Sequence, residues 1–324
     1  MATTPARTTG ERHDHTVAVD ADRRWLTVAL ALIGAFMAAE VVAGLLAHSL
    51  ALISDAAHML TDAGAIALAL VTTRLAARPP RGGYTFGLKR AEILSAQANG
   101  LTMLLLAVLL AGEAVRRLLH PPPTTGVTVL VVALAGIAVN LAATWSLSRA
   151  NRASLNIEGA FQHILTDLFA FIATAVAGVV IMLTGLTRAD AVATLIVVLL
   201  LVRAGVGLVR ESGLIFLEAA PSGIDPPALG ARLAALRGVV EVHDLHIWQI
   251  TSGQPALSAH VLVAPGDDCH AVRYTIERLL SDDYGIDHTT LQVDHVDEEG
   301  GHPTGRGDDH CVEPHGQVYR PGAA

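Results

Sequence analysis

Two histidine–aspartate pairs lie inside long apolar stretches of the sequence. His58 and Asp62 are four residues apart, and His163 and Asp167 repeat this spacing later in the chain. Residues four apart on a helix share one face, so each pair would present an imidazole beside a carboxylate. Together the pairs offer four nitrogen and oxygen ligands, the number that tetrahedral Zn²⁺ accepts. The spacing therefore predicts one metal site between two helices.

An ionised carboxylate inside a membrane helix requires compensation. Insertion scales place the cost of one charged residue at a helix centre at about 2.5 to 3.5 kcal/mol. Shared protons, water or a bound cation could compensate Asp62 and Asp167. One divalent ion balances both carboxylates, and two protons balance them after the ion leaves, so we predict a site that exchanges metal for protons. A helix-packing hydrogen bond is the competing explanation for an isolated polar residue such as Glu40, Asp55 or Asn140.

The segments that carry these pairs are apolar and long enough to cross a bilayer. The chain has 324 residues, of which 52% are hydrophobic and 16% charged, and its mean hydropathy is +0.48. This composition is too apolar for an ordinary soluble domain. Each crossing needs about 20 residues. We predict six transmembrane helices, at residues 25–47, 50–75, 91–119, 127–147, 155–186 and 189–209.

The distribution of charge orients these helices. Basic residues concentrate before the first helix and in the connections after the second and fourth, and such residues favour the cytoplasmic side. Both termini are therefore predicted to be cytoplasmic. The net charge of −8 comes largely from the C-terminal part and gives no indication of nucleic-acid binding. The sequence contains no GxxxxGK[ST] motif, so an ion or proton gradient would drive transport.

The sequence divides into four regions. Residues 1–24 are predicted to form a disordered cytoplasmic tail, 25–210 a six-helix transmembrane domain, 211–297 a cytoplasmic domain, and 298–324 a second disordered tail. The residue pattern of the third region predicts helix, strand, strand, helix and strand, at residues 228–236, 240–250, 256–263, 270–280 and 289–293. That order is typical of a small α+β domain with helices on one face of a sheet.

The sequence resembles the cation diffusion facilitator family of metal transporters. The resemblance rests on Glu40-x-x-x-Gly44, SDAAHMLTD at 54–62, YTFGLKRAEILSAQANG at 84–100 and HDLHIW at 243–248. Within that family the chain is similar to bacterial zinc, cobalt and cadmium exporters. The resemblance implies a homodimer in the bacterial plasma membrane that exchanges cytoplasmic divalent metal for external protons. Histidine at the first position of each pair, His58 and His163, implies a preference for zinc.

The resemblance also implies a second metal site and a dimer contact. The cytoplasmic domain would be ferredoxin-like, dimerise and bind Zn²⁺ as a regulatory or structural ligand. Its implied ligands are His243, His260, His288 and Asp294. Asp294 replaces a glutamate of the family and would shorten one ligand. Arg90 and Glu218 occupy the positions of a charge pair that locks the dimer in some relatives. Residues 76–87 contain neither histidine nor aspartate, so no metal site is predicted in that loop.

Two other classes of function are compatible with intramembrane metal ligands. An intramembrane zinc enzyme would activate water at the same residues, but the sequence has no HExxH motif and four protein ligands leave no open position. A membrane-tethered metal sensor would tolerate loss of Asp62 and Asp167 without a change in cellular metal content. We predict a transporter, with no catalytic residue and no catalytic cofactor. Ligand type alone leaves the choice among Zn²⁺, Co²⁺ and Cd²⁺ open.

Overall fold

Six long helices form the first part of the computed structural model, which describes residues 15–46, 50–121, 126–150, 154–296 and 316–322. The helices are α1 (His15–Leu46), α2 (Leu50–Ala76), α3 (Ala91–Leu119), α4 (Gly126–Leu147), α5 (Leu155–Thr184) and α6 (Arg188–Phe216). Among the described residues, α3, α5, α6 and the part of α4 at Val129–Leu147 are long and apolar enough to cross a membrane. Shorter apolar stretches occur in α1 and α2, at Arg24–Ala39 and Ala63–Ala76. The prediction of a helical membrane protein is confirmed.

The helices pack in pairs, α1 with α2, α3 with α6, and α4 with α5. Small residues let the backbones of α3 and α6 approach closely. A Cβ atom added at Gly100 would lie 2.9 Å from Val209 Cγ2 and 3.2 Å from the carbonyl oxygen of Gly205. Lipid tails are as apolar as the surfaces of membrane helices, so the hydrophobic effect does not drive these helices together. Close backbone packing at small residues is a common alternative.

The first helix begins earlier than predicted. Residues 15–24, which the sequence analysis assigned to a disordered tail, continue α1 as a helix, and residues 1–14 lie outside the described part of the chain. The segment contains alanine and arginine, and no proline or glycine occurs between His15 and Ile33. Because alanine and arginine favour helix and nothing interrupts the backbone hydrogen bonds, the helix continues beyond the apolar stretch.

The C-terminal domain has the predicted order of elements. They are α7 (Pro226–Ala234), β1 (Val239–Thr251), β2 (Gln254–Val263), α8 (Cys269–Tyr284) and β3 (His288–His295). β2 is central, antiparallel to β1 and parallel to β3. The two helices cover an apolar core that includes Leu229, Leu257 and Ile276, each 0% exposed. The small α+β domain expected from the sequence is therefore confirmed.

Part of the C-terminal tail contacts this domain. Residues 316–322 were predicted to be disordered, but Tyr319 forms an antiparallel bridge with Val242, with N–H···O distances of 2.8 and 2.9 Å. The Tyr319 ring packs against Gly230, where an added Cβ atom would lie 2.5 Å from the ring. β1 is an edge strand whose free backbone groups can pair with another segment, which explains the difference. Residues 297–315 lie outside the described part of the chain.

The tip of the β1–β2 hairpin joins the cytoplasmic domain to the helices. Thr251 Oγ1 donates to Glu92 Oε1 in the first turn of α3 at 2.6 Å. The N–H of Leu155, the first residue of α5, donates to Ser252 Oγ at 3.1 Å. These contacts place the starts of α3 and α5 at the end of the helical bundle that faces the α+β domain, and their other ends away from it.

Candidate metal centre

The second histidine–aspartate pair lies on one face of α5, as its spacing predicts. His163 is 2% exposed, and the side chain of Asp167 is 17% exposed. His163 Nε2 lies 3.8 Å from Asp167 Oδ2. Two ligands of one tetrahedral zinc ion, with bonds of about 2.0 to 2.1 Å, lie roughly 3.3 Å apart. A small side-chain adjustment would therefore bring both atoms onto the same ion.

The first pair lies on α2, which packs against α5. The side chains of His58 and Asp62 are outside the described residues, so the four-ligand arrangement stays a prediction. Met59, between them in sequence, is 4% exposed and lines the same cavity as His163 and Asp167. The segment of α2 that carries the first pair therefore passes beside the second pair.

A buried hydrogen bond fixes α2 against α5. Asn156 Nδ2 donates to the carbonyl oxygen of Ala69 at 2.9 Å and to Thr72 Oγ1 at 3.2 Å. Asn156 is 2% exposed and lies two turns before His163 on α5. The amide therefore joins the last turns of α2 to the first turns of α5.

A cavity of about 240 Å³ lies beside the α5 pair. This volume exceeds the roughly 30 Å³ that one water molecule occupies in the liquid. Asn140 of α4 also lines the cavity, and its Nδ2 donates within the same helix to the carbonyl oxygen of Gly136 at 3.1 Å. The cavity therefore has room for a hydrated cation beside His163 and Asp167.

Three charged residues of the cavity wall were not among the predicted site residues. Glu113 and Arg117 of α3 and Asp190 of α6 line its other end and form ion pairs with one another. The i,i+4 spacing of Glu113 and Arg117 within an apolar helix is a sequence signal that could have identified them. Asp190 carries no such signal, because it meets Arg117 only through the packing of α3 against α6.

In the cytoplasmic domain the structure brings together two of the four predicted ligands. His243 and His260 are cross-strand partners on β1 and β2, with ring centroids 5.3 Å apart. His243 is 3% exposed, and its Nδ1 lies 3.1 Å from Oε1 of the buried Glu241. A carboxylate in this position orients the imidazole and its other nitrogen, as carboxylates behind metal-binding histidines do.

The other two predicted ligands lie at opposite ends of β3. His288 pairs with Ala256 and stacks edge-on with Phe86 at 6.0 Å, whereas Asp294 pairs with Leu262. At about 3.3 Å per residue, six positions along a strand separate them by roughly 20 Å. Within one chain they cannot bind the same ion.

A local cluster surrounds His260. Asp244, which has a φ of 51°, places Oδ1 2.9 Å from His246 Nε2 and Oδ2 3.9 Å from His260 Nε2. Asp244 and His246 were not among the predicted ligands, although they belong to the HDLH motif. Among the described residues, no three histidine, cysteine or carboxylate side chains of the single chain are arranged to hold a metal ion.

The predicted dimer-locking residues form a pair within one chain. Arg90 Nη2 lies 3.3 Å from Glu218 Oε1, and their side chains are 39% and 65% exposed. Exposed pairs of this kind contribute little to stability, typically below about 1 kcal/mol. Their role between two chains stays a prediction.

Two family models match the chain. One, described as the cation efflux transmembrane domain, matches residues 26–217. The other, described as the cation efflux protein cytoplasmic domain, matches residues 221–296. Together they span the six helices except the start of α1, and all of the α+β domain.

Several characterised proteins are similar over nearly their whole length. "Cadmium, cobalt and zinc/H(+)-K(+) antiporter" of Bacillus velezensis is 34% identical over 87% of this chain and 91% of the relative. "Zinc transporter ZitB" of Pectobacterium atrosepticum is 34% identical over 92% and 91%. "Metal cation efflux system protein CzcD" of Cupriavidus metallidurans is 38% identical over 88% and 90%. A solved structure, the metal-bound C-terminal domain of a CzcD transporter, is 32% identical over 22% of this chain and 97% of that chain, with a TM-score of 0.21.

Proposed function

Because the chain belongs to the cation efflux family of membrane transporters, we propose that it exports divalent metal ions, chiefly Zn²⁺, from the cytoplasm in exchange for protons. The protein is an integral membrane transporter and not an enzyme. Its relatives are named as zinc transporters or as cadmium, cobalt and zinc antiporters, which supports a divalent substrate and an antiport mechanism. We place it in the plasma membrane with both termini in the cytoplasm.

The metal binds, in this proposal, to His58 and Asp62 of α2 and to His163 and Asp167 of α5. The observation that supports it most is the pair on α5, in which His163 is buried and its Nε2 lies 3.8 Å from Asp167 Oδ2 at a cavity that Met59 of α2 also lines. Imidazole nitrogen and carboxylate oxygen are ligands that suit Zn²⁺.

Proton exchange follows from the chemistry of these ligands. The metal binds only deprotonated carboxylates and neutral imidazoles, so binding from the cytoplasm releases protons. When the site opens to the other side, protons from a more acidic medium compete for the same atoms and displace the ion. Two carboxylates balance one divalent ion or two protons, so the empty site can return without a buried net charge.

The cytoplasmic domain is proposed to join two copies of the chain and to bind Zn²⁺ through His243, His260, His288 and Asp294. Because His288 and Asp294 are far apart in one chain, donors from both copies would have to complete a site with His243 and His260. The bound ion would then be a structural or regulatory ligand of the homodimer.

Zinc uptake into inside-out proteoliposomes with an acidic interior tests the transport proposal. The native chain should take up zinc in a gradient-dependent manner, and Asp167→Asn should abolish that uptake. Glu158→Gln is a matched control, because it neutralises a carboxylate of α5 that does not line the cavity. Uptake by Asp167→Asn at the native rate would contradict the site. No uptake by folded native protein would contradict the transport function and favour a metal sensor.

A further inference from the structure

The cavity beside the metal pair continues away from the cytoplasm. His163, Asp167 and Thr174 of α5 all line it. At 1.5 Å per residue, Thr174 lies about 16 Å beyond His163 along the helix. α5 begins at the cytoplasmic hairpin, so this direction leads to the opposite side of the membrane. Asp190, in the first turn of α6, lines the same cavity at that far end.

Arg117 bridges two carboxylates at the outer end of this cavity. Its Nη1 lies 2.9 Å from Asp190 Oδ2, and its Nε lies 2.8 Å from Glu113 Oε1. The Asp190 side chain is 17% exposed and that of Arg117 39%. Arg116 also pairs with Glu113, at 2.6 Å, but its side chain is 72% exposed and is not among the groups that line the cavity.

Two carboxylates on the exit route of a divalent ion would hinder its release. Carboxylate oxygens bind divalent cations, and attraction between opposite charges is strong where water is scarce. The Arg117 guanidinium donates to one oxygen of each carboxylate and so occupies atoms that a metal would use. The two carboxylates alone carry a formal charge of −2, and with the Arg117 guanidinium the three groups carry −1. Because arginine stays protonated at every physiological pH, this compensation persists throughout the transport cycle.

We propose that Arg117 acts as a built-in competitor cation that occupies Glu113 and Asp190 and keeps these carboxylates from retaining the departing metal ion. The proposal rests on the proposed function, since it takes the cavity to be the exit route of the metal. An ion pair that served only to join α3 to α6 would leave the response to external metal unchanged when Arg117 is replaced.

Inhibition of transport by metal on the release side is the first test. Inside-out proteoliposomes are loaded with increasing concentrations of Zn²⁺, and initial zinc uptake is measured. Arg117→Gln should be inhibited by lumenal zinc at a concentration at least threefold lower than the native chain. Arg188→Gln, which removes the same charge from an exposed side chain at the start of α6 that does not line the cavity, should match the native chain. Adding Asp190→Asn to Arg117→Gln should restore the native inhibitory zinc concentration, because one of the two carboxylates that lose Arg117 as a partner is then neutral.

Equal inhibition of Arg117→Gln and Arg188→Gln would overturn the proposal. So would failure of Asp190→Asn to reverse the effect.

A second test measures the charge of the cavity without transport. Thr174→Cys is reacted with a cationic and an anionic methanethiosulfonate, and labelling of that position is quantified by mass spectrometry. The ratio of cationic to anionic labelling rates should rise when Arg117→Gln is added and stay constant with Arg188→Gln. An unchanged ratio in Arg117→Gln would overturn the proposal. A raised ratio in a protein whose native form moves no zinc would support the role of Arg117 in cavity charge and contradict the proposed function instead.

Discussion

His163 and Asp167 differ in their access to the cavity, with side chains 3% and 17% exposed. A carboxylate that reaches a hydrated cavity can exchange its proton with water, whereas a fully packed imidazole is held in one orientation. We therefore expect Asp167 to take the larger part in proton exchange and His163 to take the larger part in metal selection. Selection by a nitrogen ligand would favour Zn²⁺ over ions that prefer oxygen.

Replacement of the imidazole by a carboxylate should change the metal preference. Carboxylates suit Mn²⁺ better than imidazole does, so His163→Asp should lower the ratio of Zn²⁺ to Mn²⁺ transport. We expect a fall of at least about tenfold, since mutation of even a group that only orients a metal ligand typically costs about 10- to 100-fold in metal affinity. Competition between the two ions for uptake into proteoliposomes measures the ratio. His270→Asp makes the same exchange at an exposed position of α8, and an equal ratio in both variants would contradict the assignment.

At the scale of elements, the contact between α3 and α6 determines whether Arg117 can reach Asp190. Gly100 and Gly205 face each other where these helices meet, and a Cβ atom at Gly205 would lie 3.0 Å from the carbonyl oxygen of Gly100. The approach leaves no room for a side chain without separating the backbones. The outer ion pair and the cavity wall therefore depend on two glycines that lie far from either charge.

A large side chain at this contact should destabilise the helical domain. Gly100→Leu should lower the free energy of unfolding by about 1 to 3 kcal/mol, the usual cost of overpacking. Gly112→Leu is the matched control on the same helix, because a Cβ atom there has no neighbour within 4 Å. Thermal unfolding of both variants in detergent measures the difference. Equal unfolding midpoints would show that the close approach of α3 and α6 is not required.

For the whole molecule, the β1–β2 hairpin is the main connection between the metal-binding candidates in the two domains. β1 carries His243 near one end and Thr251 at the other, where Thr251 contacts the start of α3. Ser252, at the tip, contacts the start of α5, the helix of His163 and Asp167. A change in the cytoplasmic domain that moves β1 would therefore act on the helix that carries the proposed ligands His163 and Asp167.

Zinc binding by the cytoplasmic domain should persist when the transport site is removed. A chain with His163→Ala and Asp167→Ala should still bind zinc in detergent, and addition of His243→Ala should reduce the zinc bound per chain. His270→Ala serves as the control histidine. Isothermal titration calorimetry gives the number of zinc ions bound per chain, and the mass of the complex gives its oligomeric state. If His243→Ala binds as much zinc as the control, the cytoplasmic site is assigned to the wrong residues.

The sequence by itself determined the features that depend on local pattern. Apolar length predicts the membrane helices, and a spacing of four places His163 and Asp167 on one face of α5, because helix geometry is the same wherever a helix forms. Alternating apolar residues and turn residues predict the order of elements in the cytoplasmic domain. The start of α1 was misplaced, because a helix can continue past the apolar residues that identify it.

The tertiary structure decided what depends on contacts between distant residues. Arg117 and Asp190 meet at 2.9 Å although they are far apart in sequence, and only the packing of α3 on α6 brings them together. The register of β3 likewise separates His288 from Asp294. Tyr319 binds β1 because the backbone of an edge strand can pair with another segment, and the Tyr319 ring packs against Gly230. None of these contacts follows from a local period, since each depends on how whole elements pack.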